Sequence, residues 1–401
     1  MAKPALFLDA ETAAQRLGVS KATLYAYVSR GLIQASDAEA DPRRRQYSAH
    51  DVDALCKRKS VGRRPKAAAQ ATLDWGLPVL TSAITLIDGN RLFYRGQDAA
   101  LLSDAATLEE VACLLWDCGM KDPFADPAAL PAPLASVPPT FDDLPLIERL
   151  QALLPLFAAG RAIAWQRDPK KLWIGAAALL RAITAIASRS QPGDQPVHRH
   201  LAKAWQLDAR GADLVRRALV LLADHELNAS AFAVRVVAST GASLGACLSA
   251  GLSALSGPLH GGTTSLVELL FSEMDARGDA QSVIEERLRR GDGVPGFGHP
   301  LYPQGDPRAR AILDHLPLTK VSRDLIAAME ETSGRLPDID FALVALRREL
   351  GLPIGTALAL FAIGRTVGWL AHALEQAGTG RLIRPRAQYN GPLPTEHRSA
   401  S

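Results

Sequence analysis

The segments ADHELNAS (residues 223–230), SGPLHGG (256–262) and VPGFGHPLYPQGDPR (294–308) decide how this chain is read. They set three histidines, His225, His260 and His299, beside residues that break helices. Asn228 follows the first, Gly257-Pro258 and Gly261-Gly262 flank the second, and Gly296, Gly298 and Pro300 surround the third. Such residues end helices and let backbone approach a ligand closely. An imidazole at an element end or in a loop is placed to reach a cleft rather than to fill a core. The chain has nine histidines, and three in such company point to a site.

Working outward, 401 residues at 48% hydrophobic and 22% charged predict a folded chain of two or three domains and exclude a disordered one. The net charge of +3 is unevenly spread: residues 1–66 hold 13 Lys/Arg against 7 Asp/Glu, a net of +6, which leaves −3 on the rest. Cys56, Cys113, Cys118 and Cys247 form no CxxC pair and no zinc spacing. Few cysteines suit reduced thiols in a reducing compartment, and no metal is expected. The opening MAKPALFLDAET lacks an apolar signal core, so a cytoplasmic location is expected. Residues 236–259 carry no charge but are dominated by Ala, Gly, Ser and Leu. That composition suits close helix contact within the protein or between subunits better than a membrane span, and no membrane partner is expected.

Residues 9–60 read as a small unit of their own. Asp9 caps a helix AETAAQRL, Gly18-Val19-Ser20 turns the chain, and KATLYAYVSRG follows, a helix-turn-helix pattern. An irregular acidic stretch leads to Arg43-Arg44-Arg45, which fits a short wing, and Ser48 caps a further helix AHDVDALCKRK. Lys21, Ala22, Thr23 and Tyr25 stand where a recognition helix meets a major groove. The unit resembles winged helix-turn-helix domains of the MerR and excisionase type, which implies DNA as a partner through residues 1–66. The basic, Ala-rich stretch 57–71 reads as a linker.

Residues 80–96 look like the one clear β element, a hairpin turning at Asp88-Gly89-Asn90. Thr107 and Glu110 form a capping box, and 121–140 reads as a Pro/Ala-rich loop. Apolar periodicity then predicts helices over 142–159, 171–188, 210–222, 229–255, 263–276, 280–290, 319–331, 340–350 and 355–377. The fold class is mainly α. No G-x-G-x-x-G follows a strand and no Walker A motif is present, so neither dinucleotide nor nucleotide-phosphate chemistry is indicated.

Four further residues stand out: Arg308 in GDPRAR, Asp340 in LPDIDF, Arg365 in LFAIGRTVGW and Arg384 in LIRPRAQY. Arg365 falls in an otherwise apolar helix, and a buried arginine needs an anionic partner, from the protein or a ligand. HEL-NAS, GPLHGG, PGFGHPLY-DPRA, DF, GRTVGW-AH and RPRAQY-GP, in this order, together with the hairpin and YRGQD, resemble the citrate synthase family over about residues 75–395. His225 precedes His260 by 35 positions and His299 precedes Arg308 by 9, in accord with it.

The resemblance implies an acyltransferase that condenses acetyl-CoA with oxaloacetate to give citrate and CoA, and a homodimer. His260 would donate to the thioester carbonyl, Asp340 would take the methyl proton, and His299 would act as acid on the oxaloacetate ketone. His225, Arg308 and Arg365 would hold the carboxylates, with Arg384 reaching in from the second subunit. The loop Val294, Pro295, Gly296, Phe297 and Gly298 would meet the CoA adenine through its backbone. Acetyl-CoA and CoA are co-substrates, with no tightly bound cofactor. The implied division is a winged helix-turn-helix domain at 1–60, a linker at 61–74, a large domain at 75–261 and 365–401, and a small closing domain at 262–364. Three departures bear on the acyl pocket and substrate choice: Thr263-Thr264 after GPLHGG, Ala342-Leu343-Val344 after Asp-Phe, and no His-Pro-Met-Asp-like run over 161–175. Two other functions fit the same motifs: a transcription regulator whose body senses oxaloacetate, citrate or acyl-CoA, and a 2-methylcitrate synthase or related condensing enzyme.

Overall fold

The computed structural model describes residues 7–29, 32–33, 35–38, 41–49, 51, 52, 55, 80–131, 141, 143–158, 168–387 and 389–391. The linker expected at 57–71 or 61–74 lies outside these residues, as do Cys56, most of the helix expected after Ser48, and the side chains of Arg43 and Arg44. The chain divides into two compact units, Met1–Thr81 and Ser82–Ser401.

In the smaller unit, Asp9 caps helix α1 (Ala10–Leu17) by accepting from the Thr12 amide at 2.8 Å, and Gly18 closes it at φ 61°. Ser20 accepts from the Thr23 amide at the start of α2 (Lys21–Ser29). Strands β1 (Phe7–Leu8), β2 (Ala35–Ala38) and β3 (Asp41–Ser48) form an antiparallel sheet in the order β1-β3-β2. The stretch expected to be irregular is therefore a hairpin, and 80–96 is not the one β element. Asp, Ala and Arg have weak strand propensity, so the period-two signal is faint. What holds the hairpin is the ladder and buried Tyr47, which packs with Ala13, Leu17, Leu24 and Ile33.

In the larger unit, β4 (Thr85–Asp88), β5 (Arg91–Tyr94) and β6 (Gln97–Asp98) form an antiparallel meander. Gly89 and Asn90 both have positive φ at the turn, as a two-residue hairpin of primed type requires. The short third strand was not expected. Helices follow: α3 (Ala99–Ala105), α4 (Leu108–Leu115), α5 (Leu146–Ala158), α6 (Pro169–Ala187), α7 (Val197–Ala204) and α8 (Ala209–Leu222). Next come α9 (Ala229–Ser239), α10 (Leu244–Leu255), α11 (Thr263–Arg277), α12 (Ala280–Arg289) and α13 (Pro307–Leu313). The last are α14 (Lys320–Ser333), α15 (Ile339–Glu349) and α16 (Thr356–Thr379).

The single helix expected over 229–255 is two. Gly241 takes φ 81° and Ser243 caps α10 through the Ala246 amide, a break that apolar periodicity runs straight across. Each half is too short to span a bilayer. Three short helices, α3, α7 and α13, carry too few turns to show a period; Asp98 and Asp306 nucleate two of them as caps.

Helix α16 is the axis. By length and composition it is apolar enough to cross a membrane, yet it is buried among α4, α6, α8, α9 and α10. Its close approach to the 223–230 turn rests on Gly368, whose amide donates to the Ala223 carbonyl at 2.8 Å. A Cβ there would lie 2.2 Å from an Asp224 carboxylate oxygen and 2.5 Å from the Ala223 carbonyl. Gly368→Ala is expected to cost about 1–3 kcal/mol of stability by overpacking, read as a lower denaturant midpoint. An unchanged midpoint would show that the contact gives way freely.

Candidate active site

Two buried anchors prepare the turn after α8. The Tyr94 hydroxyl meets the carbonyls of Val220, Leu221 and Asp224 at 3.1–3.2 Å. Asp224 is buried between the Thr85 hydroxyl, at 2.6 Å, and His372 Nε2, at 3.3 Å. Burial alone would raise the Asp224 pKa, but His372, Arg365 and Thr85 outweigh it and hold the carboxyl ionised. The next residue, His225, is thereby fixed in orientation.

His225 and His299 meet edge to face with ring centroids 5.2 Å apart, and Tyr302 lies 5.5 Å and 5.1 Å from them. His225 Nε2 and the Tyr302 hydroxyl are hydrogen-bonded at 3.0 Å. His299 Nδ1 accepts from the Leu301 amide at 3.2 Å, which puts the proton of the neutral ring on Nε2. Arg308 stacks beside Tyr302 and is gripped by Asp306 through Nε at 2.9 Å and Nη2 at 2.7 Å. Burial works against that charge, but Asp306 outweighs it and raises the arginine pKa.

Arg365 is 1% exposed. Its Nε donates to the Leu222 carbonyl at 3.0 Å and its guanidinium lies 4.9 Å from the Phe361 ring. Among the described residues its Nη2 is buried with no hydrogen-bond partner. Burial, and then the Arg308 charge, lower its pKa against the pull of Asp224, the mark of two buried cations sharing too little negative charge. An anion is what such a pair lacks.

His260 stands half-buried on the turn between α10 and α11, edge-on to the same Phe361. Its Nε2 is 2.8 Å from the Ser230 hydroxyl, which also contacts Asn228 Oδ1 at 2.7 Å and accepts from Trp369 Nε1 at 3.0 Å. Ser230 gives its one proton to Asn228 Oδ1, so its oxygen meets His260 Nε2 as an acceptor. Burial is the first cause lowering the pKa of all three histidines, to about 4 for His260 and His299 and well below 6.5 for His225. At neutral pH they are uncharged donors.

Asp340 opens α15, but Asp338 is the cap, accepting from the Asp340 and Phe341 amides. Burial pushes the Asp340 pKa well up and Asp338 adds to it, against Arg308 and Arg365; Asp338 itself is raised to about 6. Residues 294–298 run beside 336–338. The Gly298 amide donates to the Leu336 carbonyl and the Asp338 amide to the Gly296 carbonyl, both at 2.9 Å. Two backbone groups of the proposed adenine loop are thus already committed, in pairing that anchors the start of α15. Gly296 and Gly298 take φ 87° and 80°.

One electrostatically linked cluster thus gathers His225, His260, His299, Arg308, Asp340 and Arg365. Arg384 is exposed in the segment after α16 and stands outside this cluster of its own chain. Sequence reasoning missed Ser230, Tyr302, Asp306 and Phe361. All four lie within the quoted motifs, so their positions were in view but their contacts were not.

A family profile described as "Citrate synthase, C-terminal domain" matches residues 72–386, and one described as "MerR HTH family regulatory protein" matches residues 10–60. A "Putative citrate synthase 2" of Mycobacterium bovis is 33% identical over 337 residues, covering 77% of this chain and 88% of the relative. A "2-methylcitrate synthase" of Shewanella oneidensis is 27% identical over 340 residues, covering 77% and 91%. The solved citrate synthase of Thermotoga maritima has a TM-score of 0.66 at 27% identity, over 80% of this chain and 96% of that one.

Proposed function

The chain belongs to the citrate synthase family, and on that premise we propose that it condenses acetyl-CoA with oxaloacetate to citrate and CoA through an enol(ate). The observation that carries this is the pair of buried guanidiniums, Arg308 neutralised by Asp306 and Arg365 with an open Nη2 edge, set beside His225. Arg365, which has no carboxylate hydrogen-bonded to its Nη2 among the described residues, suits a substrate carboxylate beside Arg308, and planar guanidiniums bind carboxylates bidentately.

A thioester α-proton is weakly acidic, so a carboxylate removes it only if the forming oxyanion is stabilised at once. Asp340 takes the methyl proton, and neutral His260, steered by Ser230, donates to the thioester oxygen. The enol(ate) carbon attacks the oxaloacetate ketone, whose oxygen receives its proton from the Nε2 side of His299. Water then cleaves the thioester. Residues 262–364 act as a closing unit that excludes water until the carbon–carbon bond has formed. The base must be ionised and its pKa lies high, so the rate falls as pH drops through the Asp340 ionisation. The acid limb of kcat is expected well above pH 4, where His260 and His299 titrate. A rate that stays flat down to about pH 4 would place the ionising group elsewhere.

Free thiol release from acetyl-CoA, dependent on oxaloacetate, tests the reading. Propionyl-CoA run in parallel tests the second one: Ala342, Leu343 and Val344 follow the base and are all buried, where the family usually has an aromatic and then Ser-Gly. A kcat/KM higher for propionyl-CoA would make the enzyme a 2-methylcitrate synthase. The protein works as a homodimer in the cytoplasm, with Arg384 completing the partner's site. Its exposure after α16 supports this; of the small residues expected to make close contact within the protein or between subunits, Gly245 packs against Ala158 and Gly251 against Trp369 of the same chain.

The smaller unit binds DNA. Lys21, Ala22 and Tyr25 are exposed on α2 while Leu24 is buried, which leaves a reading face free. Phosphate contacts from residues 1–66 are expected to make log K fall by about 0.9 per phosphate neutralised as log salt rises. Replacing Arg43, Arg44 and Arg45 by Ala should flatten that slope, and deleting residues 1–70 should leave condensation intact. No retardation of DNA at low salt would make the unit a docking element instead.

A further inference from the structure

The larger unit has a second cleft, of about 690 Å³, lined among others by Arg95, Glu109, Cys113, Asp117, Phe124 and Arg181. None of the histidines or arginines of the active site lines it. Its wall includes the C-terminal turn of α4. There the Cys118 amide donates to the Cys113 carbonyl at 3.0 Å, and the Asp117 amide to the Leu114 carbonyl at 3.2 Å, with Asp117 at φ 60°. Those two bonds around a left-handed residue make a Schellman motif, which brings together the side chain three places before the cap and the one two places after it. That contact is usually apolar. Here the two residues are Cys113 and Cys118, which the motif sets side by side. Both are free cysteines, Cys113 half-buried at the cleft and Cys118 buried behind it.

We propose that Cys113 and Cys118 form a reversible dithiol–disulfide site, oxidised by a small peroxide that enters the cleft and restored by a dithiol reductant. Cys113 is the attacking thiol, because it lines the cleft and Cys118 does not. The neighbouring Cys118 thiol lowers the Cys113 pKa, whereas Cys113 and then burial raise that of Cys118. The Cys113 thiolate attacks one peroxide oxygen, the O–O bond breaks, and the departing hydroxide takes up a proton as water, leaving a sulfenic acid. Cys118 then gives up its proton and attacks the Cys113 sulfur. The S–O bond breaks and a second water leaves. Two electrons have passed from the thiols to the peroxide, and a dithiol reductant returns them by exchange, itself becoming a disulfide. Trp116, inside the loop so closed, donates its indole N–H to the Val367 carbonyl at 3.0 Å, two residues from Arg365. The site thus sits on the turn that fastens α4 to the helix carrying the carboxylate clamp.

The test uses the reduced full-length protein, graded hydrogen peroxide, thiol alkylation and peptide mass mapping. The expected result is a Cys113–Cys118 linkage, a loss of two hydrogens in intact mass, and full reversal by dithiothreitol. Cys118→Ser should stop at a sulfenic acid on Cys113 that dimedone traps, and Cys113→Ser should leave Cys118 unmodified. Overoxidation of Cys113 to sulfinic acid without a linkage in the parent protein would overturn the proposal. So would a linkage to Cys56 or Cys247, or a Cys118→Ser variant that consumes peroxide and forms a disulfide as the parent does.

Discussion

Asp340→Asn is expected to fold at least as well as the parent, to bind oxaloacetate normally, and to lose at least ~10²-fold in kcat. The stability expectation follows from the site. Burial and the neighbouring Asp338 already disfavour the Asp340 charge, so a neutral side chain of the same shape relieves repulsion rather than creating it. The binding expectation follows because the carboxylate clamp, His225, Arg308 and Arg365, is untouched. What disappears is the only proposed acceptor for the methyl proton. Steady-state kinetics with both substrates, beside a denaturation curve, read all three quantities. Near-parent kcat in the variant would remove Asp340 from the role of base.

Arg365→Gln is expected to act on the other substrate. Truncating one member of a buried charge pair costs about 2–5 kcal/mol, a loss of roughly 30-fold to several-thousand-fold in kcat/KM for oxaloacetate. The KM for the acyl donor should change far less. Because Arg365 also caps the Leu222 carbonyl, the variant's unfolding midpoint must be measured alongside. Arg365→Lys keeps the charge and loses the planar fork, so it should fall between the two. An oxaloacetate KM equal to that of the parent in a folded Gln variant would leave the open Nη2 edge without a substrate.

Much of this is legible in the sequence because the motifs are local. The glycines and prolines that flank His225, His260 and His299 announce turns, and the structure puts all three at turns. The hairpin at Asp88-Gly89-Asn90 was legible for the same reason: both central residues must take positive φ, and Gly and Asn tolerate it. Contacts between distant segments were not legible. Nothing in ADHELNAS says that Ser230 will sit between His260 and Trp369, or that Gly368 will press against Asp224. The β2–β3 hairpin was missed because its residues are polar and its pairing comes from the ladder. The break at 240–243 was missed because small apolar residues continue the helical period on both sides of it.

The central claim is that these residues form a carbon–carbon bond, and the most direct measurement follows the carbon itself. The full-length protein is incubated with methyl-labelled acetyl-CoA and oxaloacetate, and the products are identified by NMR. The account predicts citrate carrying the label in one methylene group, one CoA per citrate, and neither product in the absence of oxaloacetate. Labelled acetate with free CoA and no citrate would contradict it, since the site would then be a thioesterase. Binding of both ligands with no labelled product at all would contradict it equally, and would leave a sensor where a condensing enzyme is claimed.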